Sequence, residues 1–200
     1  MLSLILDTST KYLYLALVKN ETVLEEYLSE GSKNHAGTSV YMIDTLLNKH
    51  GFSCDDLTDV YCGYGPGSYT GVRISVTIAK MLASFKQIKL HQVSSLFLAG
   101  SGYDTLNVAV MFDARRGNYF SACFGQVEIA DKLRNYEEFL AMINDCNDLK
   151  IVYENDFKVN PLKVMKHSCE VVEIDAFIPN YLRIPEAQYN LEHANDQKSE

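Results

Sequence analysis

The sequence predicts an α/β protein of two lobes, each a β-sheet with flanking helices, the second lobe reduced. Three observations carry this. A short apolar run, Asp59-Val60-Tyr61-Cys62, passes through a glycine-rich turn into a stretch of helical spacing at 72–85, the order strand, turn, helix. The first 18 residues read as a β-hairpin with Asp7 at its tip. A second hairpin of the same kind, again led by an aspartate, recurs after residue 107.

In the first hairpin, residues 2–6 are apolar, Asp7-Thr8-Ser9-Thr10-Lys11 is a polar turn, and 12–18 return as a second apolar run. A third strand at 23–28 is expected after the turn at Lys19-Asn20-Glu21. Asp7, Thr8 and Ser9 place a carboxylate and hydroxyls at a hairpin tip. That chemistry suits a Mg²⁺-bound phosphate, and equally suits the turn's own N–H groups.

Residues 33–50 form the first helix, capped by Ser32 or Asn34 and stopped by Gly51. Ala36, Val40, Ile43 and Leu47 make an apolar stripe with Met42 and Leu46 beside it, and Thr38, Tyr41 and Thr45 extend a semi-polar surface. The apolar arc is wider than one core contact needs.

Glycines 63, 65, 67 and 71 permit close backbone approach around Pro66, and Ser68 or Thr70 can cap the helix that follows. Gly65, Gly67 and Ser68 are therefore candidate phosphate contacts, although a neighbouring segment would fit the same turn. The spacing matches neither the P-loop nor the dinucleotide fingerprint. In the helix, Val72, Val76, Ala79 and Ala83 form one stripe, and Ser75, Ile78, Leu82 and Phe85 another. A helix apolar on two sides is expected to be covered on two sides, by its own domain or by another chain. Residues 89–93 then read as a strand, Ser94-Ser95 as the cap of a helix over 96–100, and Gly100-Ser101-Gly102 as a hinge.

Shifting the first hairpin by 106 positions places Asp7 on Asp113, Leu6 on Phe112, Tyr14 on Phe120 and Ala16 on Ala122. Two Asp-tipped lobes, divided as 1–100 and 101–200, are the layout of the actin/hexokinase/Hsp70-like ATPase superfold. The second tip, Asp113-Ala114-Arg115-Arg116, has lost a hydroxyl and gained two cations, which alters any metal-phosphate geometry there. Beyond residue 127 the pattern weakens to a helix at 136–146, strands at 150–153 and 169–174, and a polar tail from 186.

Composition narrows the classes further. The chain of 200 residues is 47% apolar, enough for a real core, and no apolar run approaches the roughly 18 residues of a membrane span. Five cysteines without C-x-x-C spacing and the lack of a leader pattern point to reduced thiols and a cytoplasmic address. The net charge of −8 opposes direct tracking of RNA phosphates. His35, His50, His91, His167 and His193 have no H-x-x-x-H spacing, so no metal site is expected.

The run Gly65-Pro66-Gly67-Ser68-Tyr69-Thr70-Gly71-Val72-Arg73-Ile74 closely resembles the GPGSFTGLRIG signature of the TsaB (YeaZ) family, with Tyr69 for the usual Phe, Val72 for Leu and Ser75 for Gly. Val93-Ser94-Ser95-Leu96, Asp113-Ala114-Arg115 and Pro179-Asn180-Tyr181-Leu182-Arg183 match further family elements in order. The resemblance implies a non-catalytic subunit of the system that forms N6-threonylcarbamoyladenosine in tRNA. Its partners would be a TsaD-like transferase and a TsaE-like ATPase, with tRNA reached only through the complex. It also implies pairing through the first two helices, at Thr38, Tyr41, Met42, Thr45, Leu46, Ser75, Ile78, Leu82 and Phe85, with a homodimer when the partner is absent. No cofactor is required in this role. The alternative is an ATPase-like protein with weak activity of its own, binding ATP or ADP at Asp7, Thr8, Ser9, Gly65, Gly67 and Ser68. The chain departs from the family in a shortened second lobe.

Overall fold

The computed structural model describes residues 1–30 and 35–182. In chain order these form β1 (Leu2–Asp7), β2 (Tyr12–Lys19), β3 (Thr22–Glu30), α1 (His35–Lys49), β4 (Asp59–Gly63), α2 (Tyr69–Lys86), β5 (Lys89–Val93) and α3 (Ser95–Gly100). There follow β6 (Asn107–Asp113), β7 (Asn118–Gly125), β8 (Ile129–Asn135), α4 (Tyr136–Ile143), β9 (Leu149–Tyr153), α5 (Pro161–His167) and β10 (Cys169–Glu170).

The first sheet has the order β10-β5-β4-β1-β2-β3. β1 pairs antiparallel with β2 and parallel with β4, so the central strand is enclosed on both sides and every residue of LSLILD is buried. The β2–β3 turn is a two-residue loop in which Asn20 and Glu21 both take positive φ, the geometry whose twist matches the flanking strands. Leu4, Leu6, Leu15 and Val60 face α1 and α2 on one side, while Ile5, Tyr14, Ala16 and Tyr61 face α3 and α5 on the other.

The second sheet, β8-β7-β6-β9, repeats the plan of a central strand flanked by an antiparallel hairpin partner and a parallel strand. Val110, Phe112 and Phe120 meet Leu96 and Ala99 of α3, and Ala109, Met111 and Cys123 meet Phe139 and Ile143 of α4. The layers are thus helices, sheet, α3, sheet, helix. At its end the chain returns to the first sheet, where β10 pairs with β5 and Phe177 enters the first core.

Several expectations need correction. The hairpin repeat keeps its strand order and its Asp tip, but Asp7 pairs with Tyr14 whereas Asp113 pairs with Tyr119. The second turn is one residue shorter, so the shift of 106 holds for β6 and fails for β7. In α1 the core-facing residues are Ser39, Ile43, Leu46 and Leu47, and Ala36 and Val40 are exposed. The cap at Ser32 or Asn34 lies outside the described residues.

Gly100-Ser101-Gly102 is a packed crossing, not a hinge. A Cβ on Gly100 would meet Val110 at 2.8 Å, and the Gly102 N–H donates to Lys158 O at 2.9 Å. The strand expected at 169–174 is only two residues long. Both β8 and α5 are absent from the reading of the sequence, β8 because its polar residues IADKLRN lie at a sheet edge with only Arg134 buried.

Candidate functional site

The Asp7 tip and the glycine loop, both candidate phosphate contacts, come together and close on each other. Asp7 is 1% exposed, and Thr8 and Ser9 are buried with it. One Asp7 oxygen accepts from the Ser9 N–H at 2.8 Å and the Ser9 hydroxyl at 2.7 Å, and the other accepts from the Ser95 hydroxyl. Ser95 Oγ in turn accepts from the Gly65 N–H at 3.0 Å. The Thr8 hydroxyl donates to Gly71 O at 2.7 Å, and the Ser68 N–H donates to Ser9 O at 2.6 Å.

The glycines explain the approach. A Cβ on Gly63 would lie 1.7 Å from an Asp7 oxygen, on Gly67 2.3 Å from Ser9 O, and on Gly71 1.9 Å from Thr8 O. Any side chain at these positions would part the two elements. Burial pushes the Asp7 carboxyl above the ordinary aspartate range, and the bonds from Ser95 and Ser9 oppose that only in part. The atoms that would greet a phosphate are instead engaged inside the lobe. Ser95 was read from the sequence only as a capping residue; its bridge between Asp7 and Gly65 depends on contacts between distant segments.

Helix entry follows from the same loop. Ser68 is the N-cap of α2, accepting from the Gly71 N–H, and Ser75 Oγ donates to Gly63 O at 2.9 Å. Arg73 donates from Nε to the Tyr181 hydroxyl at 2.7 Å and from Nη2 to the Tyr69 hydroxyl, with the guanidinium 4.0 Å from the Tyr69 ring centre. This ties the 179–182 segment to the loop, and Tyr69 in place of Phe supplies one of the two hydroxyls. Arg183 of the same element lies outside the described residues.

The second tip is different in kind. Asp113 is exposed and accepts from the Arg115 N–H at 2.6 Å, in a turn where Arg115, Arg116 and Gly117 all take positive φ. The nearby Glu154 carboxyl is pushed up by burial and by Asp113. Among the described residues, no three of His, Cys, Asp and Glu gather as metal ligands.

The expected pairing surface divides in two. Leu46 (3% exposed) and Ser75 (0%) face the protein's own interior and are not available to another chain. Thr38, Met42, Thr45, Ile78 and Leu82 are half-buried, with Met42, Ile78 and Leu82 packed on the first core. Tyr41 (68%) and Phe85 (79%) are exposed. Met81 (55%) and Val40 are exposed too and were missed, because a sequence stripe cannot say which of two apolar faces turns inward. On α2, Ile74, Ile78, Met81 and Phe85 fall on one side at helical spacing, opposite Val72, Val76, Ala79 and Ala83. No helix among the described residues is long and apolar enough to cross a membrane.

Two lobes on one plan, with α1 and α2 covering the first sheet and an Asp-tipped turn locked against a glycine loop, define a member of the actin/hexokinase/Hsp70-like ATPase superfold. Comparison with known proteins places it more finely. A family model described as TsaD, tRNA N6-adenosine threonylcarbamoyltransferase, matches residues 25–136. The tRNA threonylcarbamoyladenosine biosynthesis protein TsaB of Bacillus subtilis is 33% identical over 92% of this chain and 95% of its own length. The protein of that name from Escherichia coli is 32% identical over 60% of this chain and 53% of its own. The solved structure of YeaZ from Pseudomonas aeruginosa shares the fold with a TM-score of 0.72, at 22% identity over 90% of this chain and 99% of that one. The chain belongs to the TsaB family of tRNA threonylcarbamoyladenosine biosynthesis proteins.

Proposed function

We propose that this chain acts as a non-catalytic subunit that pairs with a TsaD-like transferase, and so supports formation of N6-threonylcarbamoyladenosine in tRNA. The observation that carries the reading is the exposed apolar face of α2, where Met81 and Phe85 stand out beside the half-buried Ile78 and Leu82, with Val40 and Tyr41 of α1 also exposed. Single exposed apolar residues are ordinary, but several at helical spacing on one element favour an interface.

The Asp7 tip takes a structural role in this account, with its carboxylate holding the glycine loop at the mouth of α2. Nucleotide is not required by the chain itself. The chain's net charge of −8 disfavours direct contact with RNA, so tRNA and a TsaE-like ATPase are met within a cytoplasmic complex. In the partner's absence the same apolar face pairs two copies of the chain.

The test is threonylcarbamoyl transfer to tRNA by the transferase with and without this chain. Stimulation that persists with Asp7→Asn, under conditions where that variant is folded, supports the reading. Stimulation abolished by Asp7→Asn, with the complex still intact, would return the chemistry to the hairpin tip.

A further inference from the structure

Two cysteines pack on one apolar cluster under α4. Cys123, on β7, faces the core under α4 beside Ala109, Met111, Phe139 and Ile143, and is 1% exposed. Cys146 lies just beyond the end of α4, where its N–H closes the last turn on Ile143 O at 3.1 Å. Its side chain packs on the same cluster but is only half-buried. Both side chains thus belong to one packed cluster, with Cys146 close enough to raise the Cys123 thiol electrostatically.

We propose that Cys123 and Cys146 form a reversible oxidation site, which closes to a disulfide when a hydroperoxide reaches Cys146. The two positions divide the chemistry. Cys146 has access to solvent, so its thiolate attacks the peroxide oxygen, breaks the O–O bond and becomes a sulfenic acid, releasing hydroxide. Cys123 then attacks that sulfur. Its proton and the departing hydroxyl leave as water, and the S–S bond forms. With hydrogen peroxide the balance is two thiols and one peroxide to one disulfide and two waters. A dithiol reverses the step by exchange.

Burial, with Cys146 alongside, pushes the Cys123 thiol up to about 11, so at neutral pH it stays protonated and is not the first target; it attacks the sulfenic acid as its proton passes to the departing hydroxyl. Once closed, the bond pins the chain after α4 to the centre of the second sheet. The unfolded chain loses the freedom of the loop containing β8 and α4.

The experiment treats the folded protein with hydrogen peroxide, blocks free thiols and maps tryptic peptides without reduction. The expected product is peptide 117–132 joined to peptide 135–150 within one chain. Dithiothreitol should remove the link, and the oxidised protein should melt roughly 5–10 °C higher than the reduced one. Cys146→Ser should abolish the link while melting with the reduced parent. Cys146 oxidised to sulfinic acid beside a free Cys123, a link found only between chains, or a link that forms only in urea would each overturn the proposal.

Discussion

Replacing Asp7 by alanine tests whether the hairpin tip is a structural lock. The buried carboxylate accepts three hydrogen bonds, two from Ser9 and one from Ser95. The serine hydroxyls can turn toward other acceptors, but the Ser9 N–H is fixed in the turn and would be left unpaired. Bonds to a charged acceptor contribute about 1.5–3 kcal/mol each, and removing the acceptor also relieves the burial of an anion. The net loss comes to about 3–5 kcal/mol, a large part of the roughly 5–15 kcal/mol that holds a domain together. With a slope of about 2 kcal/mol per molar urea, the unfolding midpoint should fall by roughly 1.5–2.5 M. Asp7→Asn keeps one oxygen for both Ser9 donors and should lose less than half as much.

The pH dependence carries its own sign. Because the folded carboxyl titrates above its ordinary value, the unfolded state ionises first as pH rises. The parent therefore loses stability from about pH 4 up to the raised folded value and stays level above it, while Asp7→Asn lacks that decline. The gap between the two should be widest in acid and narrow as pH rises. An alanine variant within about 1 kcal/mol of the parent, or parallel pH curves for the parent and Asp7→Asn, would refute the lock.

The same geometry makes further predictions. Gly71→Ala sets a methyl 1.9 Å from Thr8 O, a backbone atom that cannot turn aside, and should cost about 2–4 kcal/mol in urea unfolding. Leu46→Glu buries an unpaired charge in the first core and should cost about 3–5 kcal/mol, so that any loss of partner binding follows a lowered melting temperature. Phe85→Asp, on an exposed side chain, should leave stability within about 0.5 kcal/mol of the parent by the same measurement.

Much of the first lobe could be read from its residues because its signals are local. The alternation of β1 and β2 about a polar turn, the Ser94 cap of α3, and Ser68 ahead of α2 depend on neighbours within a few positions. The loop's shape was legible for the same reason. What it touches was not: nothing in Gly67 or Gly71 says that a hairpin tip sixty residues earlier will fill the space above them. On α1 the reading turned Val40 inward and left Tyr41 and Leu46 together, because two overlapping apolar stripes share residues and only the sheet decides between them. In the second lobe, β8 is half-polar and β10 is two residues long, so neither carries enough alternation to stand out.

The most direct test of the account is sedimentation of this chain with a TsaD-type transferase from the same organism, comparing the parent with the paired substitution Met81→Asp and Phe85→Asp. The account predicts a mixed complex for the parent, and separate species for a variant that melts like the parent. A folded variant that still sediments with the transferase would contradict the claim that this face of α2 holds the partner.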